Sequence, residues 1–246
     1  MIDREFTLKG PALLKVSIRS GRVAVEPGGE GTVRFAVDTK DPTFEVRERG
    51  DAIVAGGERG GRADVRLSVP QGTELEVATA SGEVHVSTTL RRLDVSTSSG
   101  DIFVDSVSDL TVRTASGNLK CNRVDGEGRV ASSSGDVRIG EIGRRAELST
   151  ASGDVTIERC YGSISCSTVS GDMAIAEMSG PSLSLKSMSG TVTIGIRART
   201  RLDLDATSLS GRIRLPSPTA NPEPPERDID ARIRLVSGDL RIERVG

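Results

Sequence analysis

Apolar and polar residues alternate along this chain, and the alternation restarts at a regular interval. The dipeptide Ser-Gly stands at Ser81-Gly82, Ser99-Gly100, Ser116-Gly117, Ser134-Gly135, Ser152-Gly153, Ser170-Gly171, Ser189-Gly190, Ser210-Gly211 and Ser237-Gly238. Successive glycines lie 18, 17, 18, 18, 18, 19, 21 and 27 residues apart. Two residues after each glycine the side chain is Val84, Ile102, Leu119, Val137, Val155, Met173, Val192, Ile213 or Leu240. Four after it stands Val86, Val104, Cys121, Ile139, Ile157, Ile175, Ile194, Leu215 or Ile242. The residue between is mostly polar, from His85 and Lys120 to Arg138, Thr156 and Arg241. A period of two with one apolar face predicts a short strand opening at every Ser-Gly.

A second strand precedes the next glycine. Its apolar positions are Val77, Val95, Val112, Val130, Leu148, Cys166 and Leu185, five residues upstream. One such repeat has no second layer to bury its apolar face against, so the repeats have to stack and share an interior. The fold expected is therefore all-β, a parallel β-solenoid of about nine to ten short coils. A right-handed β-helix is the hand favoured for parallel crossovers. At ~4.8 Å per coil it would be a rod roughly 40 Å long.

Residues 1–70 break the pattern. Glycines cluster there without period, at Gly28-Gly29, Gly56-Gly57 and Gly60-Gly61. Ser20-Gly21, with Val23 and Val25 in the inward places, marks an atypical first coil. The rest of 1–70 is expected to form a β cap hiding the end of the rod, with the solenoid proper over 71–246. A Pro-rich insertion at 216–226 accounts for the last, widened spacing and should be thrown outward, because proline cannot donate to a ladder. The final strand, Asp239 to Val245, is expected to leave an uncovered edge, to be covered either by the Pro-rich loop folding over it or by a second copy in a homodimer through the C-terminal coil, the second being the preferred reading.

Composition narrows the function. The 246 residues hold 33 basic and 35 acidic side chains for a net charge of -2, with 2% aromatics. A chain so poor in stacking residues and in positive field is not expected to bind nucleic acid. No apolar run is long enough for a membrane span, and the first residues lack the layout of a secretion signal. The chain as written is expected in the cytoplasm, with an envelope location if a leader has been removed. Cys121, Cys160 and Cys166 form no CxxC pair and fall in inward columns, as small apolar residues do.

The run Val69-Pro70-Gln71-Gly72-Thr73-Glu74-Leu75-Glu76-Val77, followed by Ala80-Ser81-Gly82-Glu83-Val84 and repeated Ser-Gly-Asp-Val-x-Ile units, resembles the bacterial putative-adhesin family. That group of domains of unknown function is linked to the cell envelope. The resemblance runs from about Ser20 to Arg244. It implies a β-solenoid, brings no catalytic residues, and contrasts with membrane-anchored relatives in that no anchor is evident here.

Candidate chemistry is thin. Asp136, Asp154 and Asp172 follow their glycines and would stack as a ladder of carboxylates, the only candidates for a metal site, since carboxylates suit hard cations. The competing reading makes each of them a corner acceptor for a backbone N–H. Stacked at ~4.8 Å in water, each pair would repel by about 0.9 kcal/mol. The repeated serines, with Thr79, Thr97, Thr114, Thr150 and Thr168 two places before them, lack a base, because His85 is the only histidine. Hydroxyls bonding to neighbouring coils are expected instead. Asp101, Asp136 and Glu158 are the carboxylates open to a glycosidase-type pair, without the aromatic platforms that sugar sites use. The nine repeat glycines, Gly82 to Gly238, read as structural turns.

The reading is thus a non-catalytic structural or interaction protein, with no cofactor. Its solenoid would present repetitive polar faces, Thr156 to Thr193 and Ser149 to Ser184, to a macromolecular partner, a protein or a glycan. A self-assembling scaffold resembling bactofilin filaments is the alternative, and a carbohydrate-active β-helix enzyme the third.

Overall fold

A computed structural model describes residues 1–8, 13–57, 61–216 and 224–245. Within them every regular element is a strand. The first six are β1 (Ile2–Thr7), β2 (Leu13–Pro27), β3 (Thr32–Thr39), β4 (Glu45–Arg49), β5 (Ala52–Gly56) and β6 (Arg62–Val69). Next come β7 (Glu74–Thr97), β8 (Ile102–Thr114), β9 (Leu119–Val124), β10 (Glu127–Ser134), β11 (Val137–Ile142) and β12 (Arg145–Ser152). β13 (Val155–Cys160), β14 (Ser163–Ser170), β15 (Met173–Met178), β16 (Ser182–Ser189) and β17 (Val192–Arg197) follow. The last four are β18 (Thr200–Ser210), β19 (Ile213–Arg214), β20 (Arg227–Ser237) and β21 (Leu240–Val245).

The strands form two ladders that face each other. The A layer, entered after each Ser-Gly, runs β1, β3, β6, β2, β7, β8, β9, β11, β13, β15, β17, β21, β19. The B layer runs β4, β5, β2, β7, β8, β10, β12, β14, β16, β20, β18. The long strands β2, β7 and β8 bend through a corner and serve both. From β2 onward the pairing is parallel, one coil upon the next, which is a parallel β-solenoid. Val137, Val155 and Met173 are direct neighbours in the A layer, each 2% exposed. Burying one such side chain contributes about 1.5–3 kcal/mol, so the aliphatic files between the layers are the main source of cohesion.

At the N-terminal end, β2 stacks on β7 in repeat register, Gly21 beside Gly82, Val23 beside Val84 and Val25 beside Val86. Beyond it the ladders change sense. β3 and β1 continue the A layer antiparallel, and β4 closes the B layer antiparallel to β5. The outermost strands carry Asp3, Arg4, Glu5 and Glu45, Arg47, Glu48, Arg49, charges that discourage further pairing.

The C-terminal end departs from the sequence reading. β17 pairs with β21 and β16 with β20, while β18 and β19 stack outside β20 and β21. The chain therefore steps outward by two rungs and then returns to fill the one between. β20 is flanked on both sides, whereas β21 has β19 beside it only at Leu240 and Arg241, so among the described residues the open edge is made by β18, β19 and the rest of β21. The expectation of a free final strand is corrected at Leu240 and Arg241, which β19 covers, while Ile242 to Val245 keep a strand on one side only among the described residues. Every rung shows the same apolar pattern, so the pattern cannot order them. Most of the insertion at 216–226, which makes this return, lies outside the described residues.

Candidate functional site

The Ser-Gly corners stack into a column. A Cβ built on Gly100 would lie 1.9 Å from the carbonyl oxygen of Gly82, and Gly117, Gly135, Gly153, Gly171 and Gly190 each meet the preceding corner's carbonyl at 2.1–2.5 Å. Gly238 meets Gly190 and Gly211 meets Gly238, which repeats the transposed rung order. Only glycine permits rungs to approach so closely.

Several corner hydroxyls are consumed locally. The Oγ1 of Thr79, Thr97 and Thr114 accepts the N–H of Gly82, Gly100 and Gly117 at 2.8, 3.1 and 3.0 Å. From Gly135 on, the corner glycines switch to positive φ, and Thr150, Thr168 and Ser187 donate instead to the carbonyls of Ser152, Ser170 and Ser189. These bonds stay within the coil's own corner, while Ser116 Oγ and Ser208 Oγ donate to the carbonyls of Ser98 and Gly238 on the neighbouring rung at 3.3 and 3.4 Å.

The carboxylate ladder has its own partner set. Asp101 Oδ1 accepts from Asn118 N, Asn118 Oδ1 from Asp136 N, Asp136 from Asp154 N, Asp154 from Asp172 N and Asp172 from Thr191 N, at 2.7–3.1 Å. Asp239 does the same for Arg212 N at 2.9 Å. Each side chain thus caps the rung above it. The Asp154 N–H is the first cause holding the Asp136 carboxyl below its ordinary value; partial burial opposes it and Arg138 assists. Among the described residues no cluster of three or more His, Cys, Asp or Glu could hold a metal ion. Glu158 is exposed on the A layer, and His85 is exposed with its ring 6.0 Å from that of Phe103. The structure does not bring Asp101, Asp136 and Glu158 together with a base. Burial pushes the Cys121 and Cys166 thiols up to about 12 and that of Cys160 to about 11.

Charges on the A-layer exterior alternate from rung to rung. Glu141 is gripped by Arg123 at 3.1 Å and by Arg159 at 2.5 Å, and Glu177 by Arg197 at 2.8 Å. Exposed pairs of this kind contribute little each, but they oppose a slip by one rung.

The B layer carries the distinctive surface. Two residues before each glycine the chain points outward, through Ala80, Ser98, Ala115, Ser133 and Ala151 on the earlier coils. The last four rungs carry Val169, Met188, Val236 and Leu209 there, 48%, 55%, 46% and 79% exposed. Strand register sets these four side by side in that order. They border outward rows of Ser165 and Ser167, Ser184 and Lys186, and Arg232 and Arg234. The glycine-aligned sequence already contains this column; it escapes notice when only inward positions are tallied.

The family model described as Toastrack DUF4097 matches residues 36–243. The chain belongs to the Toastrack family. Among solved structures, this Toastrack chain is similar to a putative adhesin from Parabacteroides merdae, with 12% identity, a TM-score of 0.51, and 100% of this chain and 96% of that one covered. It is also similar to a putative adhesin from Bacteroides fragilis, with 15% identity, a TM-score of 0.45, and 99% and 96% covered. No curated protein matches the chain. At such identities the likeness speaks to the fold alone.

Proposed function

We propose that this Toastrack chain is a non-catalytic interaction module, a stiff rod that lays its B-layer face against a macromolecular partner, protein or glycan. The observation that carries this is the outward column that changes from Ala and Ser to Val169, Met188, Val236 and Leu209. Three rung steps make a stripe roughly 14 Å long, and exposed aliphatics grouped in this way mark contact surfaces where scattered ones do not. The flanking hydroxyl rows add hydrogen-bonding capacity, and a face fixed by continuous ladders loses little freedom on binding. The description of the Parabacteroides merdae structure as a putative adhesin accords with this reading.

The other readings find less support. Filaments built head to tail need like rungs at both ends, and the N-terminal end is closed by antiparallel strands. A glycosidase needs two free carboxylates in a cleft. A depression of about 540 Å³ beside Ser17, Thr43 and Arg47 offers Glu45, and Arg47 engages that residue at 3.0 Å.

The test replaces Val169, Met188 and Val236 together by Ser. The wild-type chain and this variant are compared on a glycan array and for retention on whole cells of the source organism. Loss of binding with an unchanged circular dichroism spectrum is the expected result. Equal binding by the variant overturns the reading.

A further inference from the structure

We propose that the β18 rung is a self-association edge, through which two copies of this chain pair antiparallel about a two-fold axis at Leu202. β18 has β20 on one side and no strand on the other among the described residues, so alternate backbone N–H and C=O groups along it lack a ladder partner. Its inward side chains Leu202, Leu204 and Ala206 pack on the core yet are only half-buried, where their counterparts Ile229, Ala231 and Ile233 one rung inward are fully buried. A further strand is what this edge lacks.

The charges say which strand fits. The outward side chains of β18 read Arg201, Asp203, Asp205 and Thr207. Asp205 is held by Arg234, and on the next rung Asp230 is paired with Arg232. Arg201 and Asp203 have no ion-pair partner among the described residues, and Asp203 stands directly beside Asp230 in the ladder, an unfavourable like-charge neighbour. In an antiparallel pair centred on Leu202, Arg201 of each copy faces Asp203 of the other, and Leu202 faces Leu202. Moving the axis to Arg201 or to Asp203 sets that residue against its own copy. Moving it to Leu204 sets Asp203 against Asp205, and to Thr200 sets Arg199 against Arg201. An offset of half a step turns the leucine face outward. The sequence of this edge is therefore complementary to itself in the Leu202 register, as a two-fold contact requires. Such a contact closes at two copies and does not propagate.

Sedimentation equilibrium over a wide concentration range tests this on the full chain. Wild type is expected to dimerise reversibly. Arg201→Asp or Asp203→Arg alone turns both symmetric pairs repulsive and should weaken the dimer about tenfold or more. The double exchange Arg201→Asp with Asp203→Arg restores both pairs and should recover the dimer. Both side chains are exposed, so circular dichroism should be unaltered in all three. The Val169, Met188 and Val236 serine variant should still dimerise, which separates this contact from the B-layer face. A wild-type chain that stays monomeric at millimolar concentration, a double exchange no better than the singles, or growth beyond two copies overturns the proposal.

Discussion

Replacing Gly153 by Ala adds one methyl group at the most crowded kind of position in the rod. Two separate penalties follow. The backbone there sits at φ +128°, a region that side chains other than glycine's avoid at a cost of about 1–2 kcal/mol. The new Cβ would also lie 2.3 Å from the Gly135 carbonyl oxygen, which must retreat to at least 3.0 Å. That atom belongs to the backbone of the adjacent rung, so no rotamer change relieves the contact. Parting the two rungs lengthens the bond from Asp154 N to Asp136 Oδ1, now 3.1 Å, beyond useful range. One or two hydrogen bonds lost at about 1 kcal/mol each bring the total to about 3 kcal/mol. Gly50 supplies the control, because it has φ +63° and nothing within 4 Å of an added Cβ. Gly50→Ala should cost about 1 kcal/mol, the conformational part alone. Urea unfolding followed by circular dichroism measures both. Hydrogen exchange adds the location, because a stacked-repeat fold can open one region at a time. Protection should fall around residues 130–175 and persist in the N-terminal coils. If Gly153→Ala proves no more damaging than Gly50→Ala, the close approach of corners is not what demands glycine there.

Other perturbations follow from the same geometry. Asp136 titrates below its ordinary value in the folded chain, so its contribution is present above about pH 4 and fades as pH falls through the lowered value. Asp136→Asn keeps an acceptor for the Asp154 N–H, as Asn118 already does for Asp136, and should flatten the acid limb of a urea-midpoint profile; an unchanged limb counts against the ladder. The three thiols are buried and hard to ionise, so an aromatic disulfide reagent at pH 8 should titrate none of them until urea is added. Rapid labelling of the native chain would contradict the packing. Ile157→Ala should lose about 2–5 kcal/mol of stability, whereas Thr156→Ala beside it, facing outward, should change it by less than about 0.5 kcal/mol.

The alternation after each glycine announced both the strands and their buried faces, except after Gly211, where Ile213 and Leu215 are exposed on the outermost rung; an 18-residue coil with a thin interior leaves few other places for Val137, Ile139 and Leu148. Stacking was legible too, since a lone repeat cannot cover its own apolar side. Three things were not. The hydroxyls of Thr79 and Thr150 look alike in sequence, yet one accepts and the other donates, depending on the φ of the glycine that follows. The Asp ladder invited comparison with cation sites, and which atoms each carboxylate meets depends on coil register, which no single repeat encodes. The rung order at the end was hidden because β18 and β20 satisfy the same pattern; a widened spacing after Gly211 signals an interruption without saying where the chain goes next. The outward apolar column could have been found from the aligned repeats, but only by asking which polar-face positions turn aliphatic.

The transposed rung has a temporal consequence. A ribosome delivers residues 200–214 before 227–245, yet the earlier segment has nothing to rest on until the later one is seated. Assembly therefore cannot track synthesis to the end. The penultimate coil has to wait, unzipped, for the tail to arrive and slot in beneath it. Once closed, β20 is held between β16 and β18 along its length, so its amides should exchange more slowly than those of the outlying β18.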